Sequence, residues 1–317
     1  MNIVDLNNIG SEGIIIKNIT EGGAASIMNQ NKEVVITENG TTTIKTDAGY
    51  TGLSKVKVTV DMPIVDLNYL TIEALENDFI VSFLGGDIEY RIGMNDDWHI
   101  VVNGDFTPSI RKGQTISFKA TLTPINKPSI QQGIGRFEIT KQCNVLGNVM
   151  SLIWGDKASA HISLGNAPYT FGYLFRDCAI VDASRMTLPA SELTDYCYYY
   201  MFYGCYELIS APALPAMTMK MGCYNGMFLN CKNLINAPEL PALTTASDCY
   251  RSIFCNCSSL SYIKAMFTND PTRTTTLRDW VNGVASTGTF VKNSAATWDN
   301  LGANGVPYNW TIEYADA

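Results

Sequence analysis

The chain has 317 residues, 46% hydrophobic and 16% charged, with 22 Lys and Arg against 30 Asp and Glu and a net charge of −8. That charged fraction is well below the roughly 25% of ordinary soluble domains, and the acidic balance argues against a phosphate-tracking nucleic-acid binder, which needs clustered Lys and Arg. No run of 18 apolar residues is present, so no helix is expected to cross a membrane, and the length predicts more than one domain.

Residues 1–31 are rich in Asn and Gly and too few to form a core of their own. The first six residues carry neither a basic stretch nor an apolar run, so a secretory signal is not expected. The apolar side chains of this leader are Ile3, Val4, Leu6, Ile14, Ile15 and Ile16, which are expected to anchor it to a partner. Residues 32–62 read as a small β-module. Strands at 34–36 and 41–44 flank Asn39-Gly40, a strong hairpin signal, and Val56, Val58 and Val60 then alternate.

Between residues 63 and 156, strand-like runs at 79–84, 88–92, 99–102, 115–122 and 136–139 are separated by Gly85-Gly86, Asn95-Asp96, Asn103-Gly104 and Lys112-Gly113. Short strands at that spacing predict an immunoglobulin-like β-sandwich. Trp98 is expected in its core. Asp96 and Asp97 read as an acidic hairpin turn, with calcium binding the alternative.

Residues 157–317 are expected to form a repeat domain with a terminal cap, regular over about 185–263. Leu188-Pro189-Ala190, Leu214-Pro215-Ala216 and Leu240-Pro241-Ala242 recur every 26 residues. Cys197, Cys223 and Cys249 keep that step, as do Met201-Phe202, Met227-Phe228 and Ile253-Phe254, then Cys205, Cys231 and Cys257, then Leu208, Leu234 and Leu260. Such a period predicts a solenoid whose units share one core. Leu193, Cys197 and Met201, spaced i, i+4, i+8, predict a short helix, and the proline-bearing stretch 208–215 predicts a short strand.

All nine cysteines lie at or after Cys143. The repeats lack CxxC, only His99 and His161 are present to complement thiolates, and columns along a solenoid axis do not converge on one point as metal ligands must. The thiols, including Cys255, are therefore read as reduced packing residues, and neither metal nor cofactor is expected. No GxSxG, HExxH, P-loop or dinucleotide fingerprint occurs. Glu192 and Asp195 are replaced by Thr218 and Met221, then Thr244 and Ser247, in later copies, as on a solvated face. No catalytic residue is assigned. The outward Tyr199, Tyr203, Tyr206, Asn225, Asn230 and Asn233 form a candidate binding face, with solvated coil edges the alternative.

The unit Leu-Pro-Ala…Cys-Tyr-x-x-Met-Phe-x-x-Cys-x-x-Leu-x-x-Ala-Pro resembles the BspA-like branch of leucine-rich repeats, a class abundant in gut Bacteroidales and their phages. Segments 279–293 and 304–312 resemble the cap of such arrays. Trp280, Trp298 and Trp310 are expected as lids, a carbohydrate-stacking role for one of them being the alternative. The run Ile36-Thr37-Glu38-Asn39-Gly40-Thr41, followed by Gly49-Tyr50-Thr51-Gly52-Leu53, is similar to a small β-module of phage and prophage structural proteins. Ile88-Glu89-Tyr90-Arg91…Asp97-Trp98 resembles a strand-turn-strand of domains that precede such repeats. Together these resemblances imply a mainly β, multi-domain, non-enzymatic virion protein: a head fibre, capsid decoration or tail-associated protein of a gut Bacteroidales phage, of the crAss-like group or another. It would be assembled in the host cytoplasm, held to capsid or tail proteins through residues 1–31, and be a homo-oligomer, a trimer by preference, with a host-surface glycan or protein as partner. The alternative is a bacterial cell-surface adhesin of the same repeat class.

Overall fold

A computed structural model describes residues 66–122, 133–269 and 275–316 in full and, within residues 1–64, the backbone of seven short strands. The chain divides into two compact units, Met1–Ile64 and Val65–Ala317.

The first unit contains β1 (Ile3–Val4), β2 (Ile14–Ile16), β3 (Ala25–Asn29), β4 (Lys32–Ile36), β5 (Thr42–Ile44), β6 (Val56–Lys57) and β7 (Thr59–Val60). β1 pairs with β6, β2 with β5, and β3 with both β4 and β7, all antiparallel. The hairpin expected around Asn39-Gly40 is therefore replaced. β3 and β4, two residues apart in the chain, pair over five residues, more than the three residues of β5 could offer β4. The leader and the small β-module, divided at residue 31 in the sequence reading, exchange strands within one unit. Of the anchor residues, Ile3 and Val4 fall in β1 and Ile14, Ile15 and Ile16 in β2, while Leu6 lies outside the described residues.

The second unit contains β8 (Leu70–Ala74), β9 (Ser82–Leu84), β10 (Ile88–Ile92), β11 (His99–Val101), β12 (Thr115–Lys119), β13 (Arg136–Glu138) and β14 (Cys143–Asn148). After them come a four-residue helix α1 (Ser151–Trp154), β15 (Ile180–Asp182), β16 (Met186–Thr187), β17 (Tyr262–Ala265), β18 (Thr289–Asn293) and β19 (Thr311–Ala315). The class is mainly β, with several sheets. The largest runs β11-β10-β12-β8-β14-β15, with β16 also on β14. β8, β10, β11, β12 and β14 pair antiparallel along it, but β14 takes β15 and β16 in parallel. Single parallel bridges at Ser210 and Asn236 continue from Asp182 to Tyr262, and β17, β18 and β19 complete the ladder in parallel. Residues 208–215 thus contribute one bridge rather than a full strand, because Pro212 and Pro215 bring no N–H to a ladder. β9 and β13 form a second layer. Phe137 of β13 meets Phe83 of the same layer at 4.9 Å and Phe118 of the large sheet at 5.1 Å. Trp98 is not in this core. It lies half-buried on the outer face, with Lys119 Nζ 4.4 Å and the Arg91 guanidinium 4.9 Å from its ring.

The expected helix over residues 193–201 is absent. Residues 195–204 form consecutive turns in which alternate N–H groups have different destinations. Those of Tyr199, Met201, Tyr203 and Cys205 donate three residues back, at 3.1–3.2 Å. Those of Tyr196, Tyr198, Tyr200, Phe202 and Gly204 donate to carbonyls 25 residues ahead, from Met221 to Leu229, at 2.8–3.0 Å. A helix would satisfy its interior N–H groups internally and leave few to join neighbouring units. The turns repeat every four residues, so Leu193, Cys197, Met201 and Cys205 all point inward and are buried.

Stacking repeats side chain by side chain. Phe137, Phe175, Phe202, Phe228 and Phe254 form one column with ring centroids 5.4–5.9 Å apart. Phe171, Tyr198, Tyr224 and Tyr250 form a second, at 5.6–6.2 Å. The thiols of Cys205, Cys231 and Cys257 donate to the carbonyls of Phe175, Phe202 and Phe228 in the preceding coil, at 3.0–3.1 Å. Cys223, Met227, Leu208, Leu234, Cys249, Ile253 and Leu260 are likewise buried. At the end, Trp280, Trp298 and Trp310 are buried and donate their indole N–H groups to Gly305, Phe267 and Ala285; burial leaves none of them a face for a sugar.

Only Cys255 is partly exposed. At pH 8 an aromatic disulfide reagent is expected to modify no more than this one thiol in the native chain, and slowly, because burial and Asp279 both raise its pKa. All nine should react in denaturant; rapid labelling of a second thiol in the folded chain would overturn the packing.

Candidate functional site

The turns place a left-handed residue at every fourth position. The first coil has Tyr169 (φ 57°), Tyr173 (φ 60°) and Asp177 (φ 59°), and the second has Tyr196 (φ 55°), Tyr200 (φ 52°) and Gly204 (φ 72°). Corresponding positions are Gly222, Gly226 and Asn230 in the third coil and Asp248, Ser252 and Asn256 in the fourth. Gly, Asn and Asp suit this region; a bulky side chain there costs about 1 kcal/mol or more. Four tyrosines in two coils therefore carry a strain that, in the third and fourth coils, only Ser252 shares.

These tyrosines form one surface. Tyr169 stacks on Tyr196 at 4.8 Å and 7°, and Tyr173 on Tyr200 at 5.5 Å and 29°. Tyr199 stands edge-on to Tyr169, Tyr173 and Tyr196 and lies 4.3 Å from Tyr200, which in turn meets Tyr203 at 5.5 Å. Arg176 spans the rings of Tyr173 and Tyr203 while paired with Asp177 at 3.0 Å. The third coil supplies a shelf. A Cβ on Gly222 would lie 2.2 Å from the Tyr196 ring and one on Gly226 2.7 Å from the Tyr200 ring. Partial burial raises the pKa of Tyr169, Tyr173, Tyr196, Tyr199 and Tyr200, so the face stays neutral and offers aromatic carbon and hydroxyl groups together.

Of the residues expected to bind, Tyr199 and Tyr203 belong to this face. Tyr206 and Asn230 line a separate groove of about 510 Å³ with Lys232, Asn256, Ser258 and Gly283. There Lys232 sits 5.2 Å over the Tyr206 ring, and the Asn256 amide donates to Asn230 at 3.0 Å. Asn233 is exposed outside that groove. Asn225 is a correction: only 6% of it is exposed, since Gly222 and Gly226 on either side let tyrosine rings from the second coil lie down over this stretch. The sequence reading missed Tyr169, Tyr173, Tyr196, Tyr200 and Arg176. Their signal was a tyrosine at four-residue spacing in two adjacent units, facing away from the cysteine column.

Among the described residues no group of three or more His, Cys, Asp or Glu is arranged to hold a metal ion, and no helix is long and apolar enough to cross a membrane. Glu192 is exposed, and an Asp195 oxygen accepts the Met221 N–H at 3.1 Å. No family model, curated protein or solved structure matches the chain.

Proposed function

We propose that this chain is a non-enzymatic structural protein of a phage particle, a head fibre, capsid decoration or tail-associated protein. Residues 1–31 attach it to the particle, and an immunoglobulin-like sandwich followed by a leucine-rich-repeat-like solenoid projects the tyrosine face towards a host-surface glycan or protein. The fold part of this reading is supported by the two-layer arrangement of β8 to β14 and by the coil-to-coil bonding at a 25-residue offset. The virion part is supported by the resemblances of the repeat and of the N-terminal module. The observation that carries the binding role is the set of left-handed tyrosines, because strain retained on an outward surface is unexplained by the stacking of the core. Copies arrayed on a particle would add weak contacts through effective concentration.

Mass spectrometry of purified particles is expected to find the chain among their proteins; its absence overturns the virion reading. The binding role has its own test. Tyr196→Asn and Tyr200→Gly place residues suited to positive φ, so each relieves about 1 kcal/mol of strain. That offsets part of the loss of two ring contacts at Tyr196 and three at Tyr200, each about 0.5–1.5 kcal/mol, and each variant should stay folded with a moderately lowered melting temperature. The double variant, displayed multivalently, should lose at least tenfold in attachment to host cells. Retained attachment, or a collapse of stability without it, would show that the rings are structural.

A further inference from the structure

We infer that the free edge of β11 accepts an added β-strand from a partner whose strand is flanked by Lys or Arg. β11 is the last strand of the large sheet, so one of its edges has no strand beside it among the described residues. Such an edge offers unpaired donors and acceptors, and proteins usually blunt it with Lys, Pro or a bulge. Here the strand and its next residue read His99, Ile100, Val101 and Val102. Val101 turns into the core, whereas Ile100 is 68% and Val102 53% exposed. Phe106, just beyond, is also exposed. The opposite end of the ladder is different: β19 carries Glu313 and is followed by Asp316, which accepts a hydrogen bond from Ser294. Of the two ends of this ladder, β11 is the one with an apolar edge open among the described residues.

Charge selects the occupant. Asp87, Glu89, Asp96, Asp97 and Asp105 surround the strand, and Arg91 is the one Lys or Arg between residues 85 and 106. Arg91 is already paired with Asp66 at 2.9 Å. Lys119 reaches Glu89 only at 3.8 Å and is held closer, at 3.0 Å, by Asp156. Pairing with β11 of a second copy would set one acidic rim against another, and like charges facing across strands are destabilising. A basic strand meets the same rim with opposite sign, and its alternate apolar side chains cover Ile100 and Val102, as in other cases of strand addition.

The test uses the full chain and two synthetic peptides with a Thr-Val-Thr-Val-Thr centre, one flanked by two lysines at each end and one by two glutamates. The lysine peptide is expected to bind at least tenfold more tightly at low salt, to weaken at 300 mM salt, and to protect the outward amides of Ile100 and Val102 from hydrogen exchange, those of His99 and Val101 being turned towards β10. Ile100→Lys, a change at an exposed side chain, should abolish the binding with the melting temperature unchanged. Equal binding of both peptides, binding of neither, or protection elsewhere would overturn the proposal. So would a dimer of the free chain that Ile100→Lys dissolves, since the occupant would then be a second copy.

Discussion

Raising the pH from 9 to about 10 is expected to unfold the Val65–Ala317 unit in one steep transition, driven by its thiols. Eight cysteines are buried. Burial lifts Cys178 and Cys223 from 9.0 to about 12, and lifts Cys143, Cys197, Cys205 and Cys257 well above 9.0. Neighbouring thiols in a column add to the effect, as Cys231 does for Cys205. Tyr198, Tyr224 and Tyr250 are pushed in the same direction by burial. In each case the folded chain holds a proton that the unfolded chain releases. Stability is therefore untouched well below pH 9, begins to fall as the unfolded thiols ionise near it, and goes on falling up to the folded-state value. Each fully buried thiol contributes a slope of about 1.4 kcal/mol per pH unit. Eight of them together give roughly 11 kcal/mol per unit, enough to exhaust a typical domain's stability within about one unit. Circular dichroism against pH, with reductant present, checks this. The double variant Cys205→Ala, Cys231→Ala should lower the slope by about 3 kcal/mol per unit, and a chain still folded at pH 11 would refute the account.

The 26-residue columns were legible because coils that stack in register must repeat their inward residues, and Cys, Met, Phe and Leu recur there whatever the local backbone does. That backbone was misread because a four-residue turn period and an α-helix place i, i+4 and i+8 on the same side. The distinguishing signal lay in the outward positions: Gly222, Gly226, Asn230, Asp248 and Asn256 are residue types that tolerate positive φ, and they recur at helix-like spacing where a helix would gain nothing from them. The tyrosines at the equivalent positions of the first two coils masked it. Tyr169 and Tyr173 were harder still to see, because their coil stands 27 rather than 26 residues before the next. The run of one ladder from β11 to β19 was not legible, since β14 meets β15 and β16 through a parallel pairing that no local pattern specifies. Nor does a sequence show which side chains its glycines allow to lie flat, which is how Asn225 came to be placed at the surface.

Replacing Phe202 by alanine is expected to destabilise the unit by about 3–5 kcal/mol, the range for a buried aromatic truncated where the surroundings cannot collapse. Collapse is barred here because the coils on both sides are fixed by backbone bonds, Phe202 N–H to Met227 at 2.9 Å and Phe175 N–H to Met201 at 2.9 Å. The ring lies between Phe175 at 5.4 Å and Phe228 at 5.6 Å, so two stacked contacts are lost with it. Phe254 provides the internal comparison. It is equally buried but stacks on Phe228 alone within the column, at 5.9 Å. Phe254→Ala should therefore cost about 1 kcal/mol less than Phe202→Ala, the worth of one aromatic pair. Urea titrations of the two variants measure this difference directly through their midpoints. The coils share a continuous core, so each variant should still unfold in a single transition. If Phe202→Ala melts one coil separately, or proves no more harmful than Phe254→Ala, the column is a set of independent contacts, and the continuity that would make these coils a stiff spacer is lost.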